Sequence, residues 1–486
     1  MVFQRACVAF LSLGLIASAS AQTHAQTHAS TKQAAKIPGT VHRAPAAKGA
    51  PTKKTVSKKT PAKKPGARSV AATTTSRTVR GRVATVAPVS YATREATMAH
   101  ITESLASVRV GIENPDALQP FFDQLKQLES DPKSSEVRIL QFGDSHTAAD
   151  MFTGALRTLF QTKFGDGGAG YSYPGYPFAG YRIHGTHRAQ SIGWTVTGTH
   201  FRDLGDGMLG MGGVSLSTVH AGDWISLDAD ATSVEVQYLV QPGGGNIEIY
   251  DGDTLLTSVS TDGETAAGHY DAQVAAGPHH FEVRTISSAP VRLFGLVTEQ
   301  PAGVTYEAIG LNGAEAGVIL KWNEPLADDL MSQRNLSLIV LAYGTNEASD
   351  SNWSEESYAA MFRTLIERLR KQAPKAAILV LGPADRELRQ GRSRRAAWVP
   401  YDGIDRIIRA QRAVCRQMGC AYWDERARMG GFGTMREWVS VGWGQGDHTH
   451  FTGEGYNELA ASLFSDIVQQ YNRYEGHPAI AAGEAK

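Results

Sequence analysis

Apolar and polar positions follow two rhythms along the chain. Three short segments are apolar almost throughout: "VRILQF", "NLSLIVLAYG" and "AAILVLGP". They alternate with segments that place apolar residues every three or four positions, such as "SEESYAAMFRTLIERLRKQ", where Ser354 is a candidate N-cap. Buried strands that alternate with amphipathic helices are typical of a parallel sheet covered on both faces. We therefore predict a three-layer α/β domain.

A different pattern interrupts this domain between about residues 192 and 300. Segments such as "SVEVQYLV", "NIEIYDGD" and "HHFEVRTI" alternate apolar with polar residues and are separated by Gly and Asp turns. An alternating pattern of this kind indicates half-buried strands rather than helices. The sequence therefore predicts an inserted β-sandwich, jelly-roll-like in type.

The stretch "ILQFGDSHTAAD", residues 139–150, places a serine directly after a buried strand. A helical pattern follows from Ala148 to Phe164. Ligands gather at the carboxyl ends of parallel strands, and a helix N-terminus directs backbone N–H groups at developing negative charge. Ser145 is therefore a candidate nucleophile for acyl transfer. Asp and Ser are also ordinary N-cap residues, so this segment alone does not decide between the two roles.

A candidate base lies in "GDHTHFTGEGY", just before the last predicted helix. Asp447 and His450 are three residues apart, so one turn can place the carboxylate beside the imidazole. The other ring nitrogen would then face Ser145. A capping loop is the alternative role for this segment, and His448 is the competing histidine.

Two further segments could supply donors to an oxyanion. Asn346, in "LAYGTNEA", follows a buried strand, and its side-chain amide is a suitable donor, although Gly-Thr-Asn also favours turns. Gly313, in "IGLNGAEAG", could bring a backbone N–H close to the same oxygen.

Together, the four segments resemble the sequence blocks of the SGNH, or GDSL-like, hydrolase family, and they occur in the same order. "FGDSH" is similar to the serine block, "GLNGA" to the glycine block, "YGTNE" to the G-x-N-D block and "DHTH" to the D-x-x-H block. The resemblance implies a flavodoxin-like domain in which Ser145 is the nucleophile, His450 the general base and Asp447 its orienting partner. It also implies an oxyanion hole formed by Ser145, Gly313 and Asn346, with no cofactor and no metal.

The sequence departs from the family pattern at two positions. His146 replaces the leucine that follows the serine, and Glu347 replaces the aspartate that follows the asparagine. These departures affect the subfamily assignment more than the mechanism.

A β-sandwich inserted between the serine and glycine blocks is similar to the arrangement in bacterial peptidoglycan O-acetylesterases. In those enzymes the insertion resembles a carbohydrate-binding module. This resemblance implies a serine carboxylic-ester hydrolase that removes acetyl groups from a cell-envelope polysaccharide through an acetyl-serine intermediate. Four alternatives remain open: a polysaccharide O-acetyltransferase, an acetyl esterase for plant-type glycans, a metallophosphoesterase and a non-catalytic wall-binding protein.

Composition adds a cellular context. The start, "MVFQRACVAFLSLGLIASASAQ", has the pattern of a cleaved secretory signal, so we expect an exported protein of the periplasm or cell envelope. Residues 22–94 contain 15 Lys or Arg and no Asp or Glu, which predicts a disordered basic linker and leaves the folded part net negative. Such a linker could contact anionic cell-envelope polymers or lipid headgroups, or be simply solvated. Nucleic acid is not an expected partner of an exported protein.

The predicted organisation has six segments: a signal peptide (1–21), the linker (22–95), the first part of the hydrolase domain (96–191), the inserted β-sandwich (192–300), the second part of the hydrolase domain (301–475) and a flexible tail (476–486). Beyond the signal, the chain has two cysteines, Cys415 and Cys420. They could form a local disulfide or remain as two buried thiols.

Overall fold

The computed structural model describes residues 91–107, 111–199, 204–391 and 397–476. All of them belong to one compact unit, Gly81–Lys486. The predicted signal peptide, nearly all of the predicted linker and nearly all of the predicted tail lie outside the described residues.

The strands in this part of the chain are β1 (Ile112–Glu113), β2 (Glu136–Gly143), β3 (Gly170–Ser172), β4 (His187–Gln190), β5 (Thr195–Thr197), β6 (Ser215–Thr218), β7 (Trp224–Val240), β8 (Asn246–Asp251), β9 (Thr254–Ser260), β10 (Ala266–Thr285), β11 (Val291–Glu299), β12 (Gly303–Gly310), β13 (Leu338–Ala342), β14 (Ala377–Leu381), β15 (Glu387–Gln390), β16 (Ala397–Pro400) and β17 (Ala421–Trp423).

The α-helices are α1 (Tyr91–Ser107), α2 (Gln119–Ser130), α3 (Ser145–Ala148), α4 (Phe152–Phe164), α5 (Glu324–Gln333), α6 (Thr345–Ser349), α7 (Glu355–Gln372), α8 (Ile404–Met418), α9 (Glu425–Arg428), α10 (Met435–Ser440) and α11 (Gly453–Tyr474). Short 3-10 helices cover Pro115–Leu118 and Ala316–Lys321. The predicted cap of α7 is present, because Ser354 and Ser357 form a reciprocal capping box. No helix in the described ranges is long and apolar enough to cross a membrane.

The central sheet has six strands in the order β1-β17-β14-β13-β2-β12. All neighbouring strands are parallel except β1 and β17. Without β1, this is the flavodoxin-like order, and the chain reverses its winding direction beside β2. Gly143, the last residue of β2, pairs with Gly310 of β12 and Ala342 of β13. The loops after these three strands therefore leave the sheet at one edge, which is the edge that the site requires.

The two faces of this sheet bury different sets of apolar side chains. On β2, Leu140 and Phe142 belong to one buried cluster, and Val137 and Ile139 belong to the other. Because successive strand residues point to opposite faces, the apolar run places side chains in both clusters, with helices packed on both sides. The predicted three-layer α/β architecture is confirmed.

A nine-stranded antiparallel sheet forms the second part of the fold, with the main order β5-β6-β11-β7-β10-β8-β9. Its longest strands, β7 and β10, pair along most of their length, and the register shifts between Gln273 and Gly277. The sheet agrees with the predicted inserted all-β segment. It also includes β3 and β4, which pair with β11 and β7 and precede residue 192. The boundary at 192 stays a prediction, but antiparallel pairing begins before it.

Two sequence predictions about helices need correction. The helix predicted for Ala148–Phe164 is interrupted, because Asp150 has a left-handed φ of 51° and separates α3 from α4. The buried Asp150 carboxylate forms hydrogen bonds with both terminal nitrogens of Arg157 at 2.9 Å, and this buried pair fixes the interruption. The predicted linker also ends too late, since α1 begins at Tyr91. This helix buries Ile101, and His100 forms a hydrogen bond with Glu437.

Cys415 and Cys420 are free, buried thiols in the structure. They lie at the end of α8 and at the start of the next strand, and the amide of Cys420 donates to the Cys415 carbonyl at 2.9 Å. Of the two arrangements left open by the sequence, the structure has the reduced one.

Candidate active site

The candidate nucleophile lies on a tight turn between β2 and α3. Asp144 caps α3, and its carboxylate accepts the His146 amide at 2.9 Å. A Cβ atom on Gly143 would lie 2.1 Å from Oγ1 of Thr147, so this turn requires glycine at position 143. Ser145 is the first residue of α3 and is held at the edge of the sheet.

Ser145, His450 and Asp447 form one hydrogen-bonded chain. Oγ of Ser145 lies 2.8 Å from Nε2 of His450, and Nδ1 of His450 lies 2.7 Å from Oδ2 of Asp447. The other oxygen of Asp447 accepts the amides of Thr449 and His450 at 3.0 Å each. The loop therefore fixes the carboxylate before the carboxylate orients the ring. The spacing Asp-x-x-His produces this geometry within a single turn, as the sequence predicted.

The charges in this chain favour a basic imidazole. The hydrogen bond that His450 donates to Asp447 raises the pKa of His450 above its ordinary value, although partial burial opposes the shift. Burial alone would raise the pKa of Asp447, but the hydrogen bonds from His450 and from the loop amides hold it well below its usual range. Asp447 is therefore ionised at neutral pH and can stabilise a protonated His450.

The proposed oxyanion donors lie at the same edge of the sheet. Gly313 has a left-handed φ of 74°, which glycine adopts without strain. Within the described ranges, the backbone N–H groups of Ser145 and Gly313 donate to no protein acceptor. The Asn346 side-chain amide is already engaged, since it donates to the Ala314 carbonyl at 2.9 Å and to Asp144 at 3.3 Å. Asn346 would therefore have to give up its longer contact in order to donate to a ligand.

His146, the first departure from the family pattern, lies beside the His450 ring. Its Nδ1 atom is 3.0 Å from the hydroxyl of Tyr456, and its ring centroid is 5.0 Å from that of His450. Burial and the neighbouring His450 lower the pKa of His146 to about 3. His146 is therefore a neutral ring at neutral pH and adds no positive charge beside His450.

Glu347, the second departure, holds the loop that follows the glycine block. Its side chain is fully buried at the start of α6, and Oε1 accepts the Ala316 amide at 2.8 Å. Burial raises the pKa of Glu347 to about 8, so the carboxyl group is largely protonated at neutral pH. Glu347 thus connects the loop of Gly313 to the helix that carries Asn346.

His448, the competing histidine, turns away from Ser145. Its Nδ1 atom lies 2.6 Å from the buried carboxylate of Glu387, and its ring stacks on Trp398 with 4.1 Å between the centroids. The Glu387 amide also donates to the His448 carbonyl at 3.0 Å. These contacts anchor the loop between Asp447 and His450 to the hairpin formed by β15 and β16.

The sequence analysis did not identify Arg386 and Glu387. Both lie in "GPADRE", directly after β14, at the edge of the sheet that carries the site. Charged residues directly after a buried parallel strand were the signal that could have identified them. Polar residues in the corresponding position after β2 and β13 had identified Ser145 and Asn346.

No group of three or more His, Cys, Asp or Glu side chains in the described part of the chain is arranged so that it could hold a metal ion.

Comparison with known proteins assigns the class. The model of the GDSL-like lipase/acylhydrolase family matches residues 279–457. This range contains Gly313, Asn346, Asp447 and His450. Ser145 comes earlier in the sequence and is separated from the matched range by most strands of the antiparallel sheet. This match identifies a GDSL-like lipase/acylhydrolase domain in the chain, and together with the structural similarity described next it supports an esterase-type acylhydrolase.

Among solved structures, the chain is similar to a peptidoglycan O-acetylesterase. The identity is 25%, the TM-score is 0.63, and the alignment covers 73% of this chain and 96% of the other. A family two carbohydrate esterase from Cellvibrio japonicus aligns at 14% identity with a TM-score of 0.26, over 59% of this chain and 98% of the other. No curated protein matches the chain significantly.

Proposed function

We propose that this protein is a serine esterase that removes O-acetyl groups from a cell-envelope polysaccharide, and that peptidoglycan is its substrate. The hydrogen-bonded chain Ser145–His450–Asp447 at the carboxyl edge of the parallel sheet carries the chemical part of the proposal. The similarity to a peptidoglycan O-acetylesterase supports the choice of substrate.

In the proposed reaction, Oγ of Ser145 attacks the carbonyl carbon of the acetyl ester while Nε2 of His450 takes the hydroxyl proton. The tetrahedral intermediate collapses, the sugar oxygen leaves with the proton from His450, and the acetyl group remains on Ser145. A water molecule then gives a proton to His450 and attacks the acetyl carbon. The second tetrahedral intermediate collapses to acetic acid, which ionises in solvent, and Ser145 takes its proton back from His450. Asp447 stabilises the imidazolium in both steps.

The developing oxyanion needs donors that are in place before the reaction begins. The backbone N–H groups of Ser145 and Gly313 suit this role, because neither has a protein acceptor in the described ranges. Asn346 would be the third donor, after exchanging its 3.3 Å contact with Asp144 for the ligand. An exchange of this kind would keep the amide satisfied in the resting enzyme.

Export of the protein to the periplasm or cell envelope is part of the proposal, and it rests on the signal-like start of the sequence. The basic segment before residue 95 would then contact anionic envelope polymers or lipid headgroups. No nucleic acid is part of the proposal.

The proposed function is tested by acetate release from O-acetylated peptidoglycan and from acetylated xylan, with wild-type protein beside Ser145→Ala. We expect the wild type to release acetate faster from peptidoglycan and the variant to lose at least about a thousandfold in turnover. Acetylated glycan accumulating in place of acetate, when an acetyl donor is supplied, would instead identify an acetyltransferase. An unchanged Ser145→Ala variant would refute the serine mechanism, and a preference for xylan would refute the substrate.

A further inference from the structure

Arg386 lies at the edge of the sheet that carries the candidate active site. Its Nη1 atom donates to the carbonyl of Thr345 at 2.9 Å, one residue before Asn346. The guanidinium group also lies over the ring of Tyr401, 5.4 Å from the centroid. The residue is only partly buried. The structure therefore holds this cation against α6, the helix that carries Asn346, and leaves part of the side chain accessible.

Arg386 forms no ion pair with any residue that the structure describes. Arg138, Arg157 and Arg334 each pair with a carboxylate, whereas the buried Arg188 and Arg368, like Arg386, form no ion pair with a described residue. In addition, Nε of Arg386 is buried without a hydrogen-bond partner. Burial of an unpaired charge costs free energy, and here it lowers the pKa of the guanidinium group. The hydrogen bond to Thr345 and the contact with Tyr401 offset part of this cost, but no described carboxylate pairs with the charge.

The nearest carboxylates are already used in other contacts. Asp447 binds the His450 ring and two loop amides, and Asp144 accepts the His146 amide. Both feel the positive charge of Arg386, but neither lies within ion-pair distance of it. An anion that enters the site from solvent would be a better partner, because the planar guanidinium group can bind a carboxylate through two parallel hydrogen bonds.

We propose that Arg386 is a specificity-determining residue that binds a carboxylate group of the glycan substrate close to the ester undergoing hydrolysis. This inference rests on the proposed function and extends it, because it selects an acidic glycan over a neutral one. Peptidoglycan carries carboxylates on the peptides attached to its sugars, whereas acetylated xylan and simple aryl acetates offer none beside the ester.

The test compares Arg386→Gln with wild type on substrates that differ only in charge. O-acetylated peptidoglycan is used as isolated and after its carboxylates have been converted to amides, and 4-nitrophenyl acetate serves as the small neutral ester. We expect Arg386→Gln to lose about 10- to 100-fold in kcat/KM on native peptidoglycan, as for the loss of a charge-assisted hydrogen bond. On 4-nitrophenyl acetate we expect a smaller loss, because this ester has no carboxylate and the variant loses only the contact with Thr345. Amidation should slow the wild type and leave Arg386→Gln unaffected.

Arg389→Gln is the matched control, because Arg389 is exposed on β15 only three residues away. It should retain the wild-type preference. Equal losses of kcat/KM on native peptidoglycan in Arg386→Gln and Arg389→Gln would overturn the inference, because they would point to a long-range electrostatic effect and not to a contact. A similar loss of Arg386→Gln on every substrate would overturn it in favour of a positioning role. Thermal unfolding of all variants detects misfolding. Arg386→Lys should recover part of the preference for native peptidoglycan, because lysine keeps the positive charge.

The outcome remains distinct from that of the proposed function. If the wild type hydrolyses 4-nitrophenyl acetate but releases no acetate from peptidoglycan, the peptidoglycan proposal fails. The role of Arg386 is then decided on small acetyl esters with and without a neighbouring carboxylate. If the ratio of the rates on these two esters is the same for wild type and Arg386→Gln, the proposed role of Arg386 is refuted.

Discussion

Replacement of Asp447 by asparagine tests the hydrogen-bonded chain Ser145–His450–Asp447 at its more exposed hydrogen bond, the one between His450 and Asp447. The Asp447 Oδ1 atom accepts the amides of Thr449 and His450, and the Oδ1 atom of asparagine can still do so. The asparagine NH2 group would then face Nδ1 of His450, where the carboxylate oxygen now lies at 2.7 Å. His450 would have to accept at Nδ1 and carry its proton on Nε2. That nitrogen faces Ser145 and could no longer take the hydroxyl proton.

The magnitude follows from the geometry and the exposure. In serine hydrolases, the corresponding change lowers turnover by about 10⁴-fold because the histidine adopts the wrong tautomer. Here the Asp447 side chain is 49% exposed, so water can replace part of its effect. We therefore expect Asp447→Asn to lose about 10³-fold in kcat, within the range seen for triad residues.

The pH dependence gives an independent readout. The base must be neutral, so activity falls as the pH drops through the pKa of His450. The hydrogen bond with Asp447 raises that pKa, and the acid limb of wild-type activity should therefore lie above the ordinary histidine value of about 6.5. Without the carboxylate, the acid limb of the residual activity should move to lower pH.

The assay is acetate release from an aryl acetate between about pH 5 and 9, with the acetate itself quantified by chromatography so that ionisation of the released phenol does not affect the readout. Asp402→Asn is the control, because Asp402 is exposed and no side-chain contact ties it to the site. An Asp447→Asn variant with more than about a tenth of wild-type turnover, or with an unmoved acid limb, would refute the proposed role.

Two further substitutions test residues that support the site. Glu347→Gln should stay within about threefold of wild-type kcat, because a protonated carboxyl and an amide can both accept the Ala316 N–H, whereas Glu347→Ala should lower the free energy of unfolding by about 1–3 kcal/mol and reduce kcat. Urea unfolding measures the stability of both variants, and ester kinetics measure their kcat. A Gln variant as impaired as the Ala variant would show that the charge of Glu347 matters. His448→Ala should lower kcat about tenfold with little change in KM, because the Asp447–His450 loop loses its anchor on Glu387; a change in KM alone would instead place His448 in substrate binding.

Much of the fold was predictable because the apolar pattern is strong. The central strands are apolar almost throughout and the helices amphipathic, so the layers follow from burial alone. The interruption at Asp150 was not predictable in this way. It depends on a buried ion pair with Arg157, whose side chain lies seven residues further along the chain, and no local propensity encodes that contact.

In the candidate site, too, the residues in short local motifs were predictable from the sequence, whereas the contacts between distant segments were not. Ser145, Asp447 and His450 could be proposed from the sequence because each belongs to a short motif at a strand or helix end, and the structure brings the three side chains together. The partners of Glu347 and His448 were not predicted, since their contacts join segments far apart in sequence or loops of irregular shape. The sequence also gave no sign that the amide of Asn346 is engaged in the resting structure.

The position of β2 in the middle of the sheet also constrains the order of events during folding. Both of its neighbours, β12 and β13, come after the long antiparallel segment, and the partners of Gly143 are the distant Gly310 and Ala342. Contacts this distant along the chain slow folding, because the intervening loop must close before they contribute any free energy. A partly synthesised chain that ends before residue 450 would carry a serine with no base. Hydrolytic activity can therefore arise only late, after both halves of the sheet have joined around the nucleophile strand.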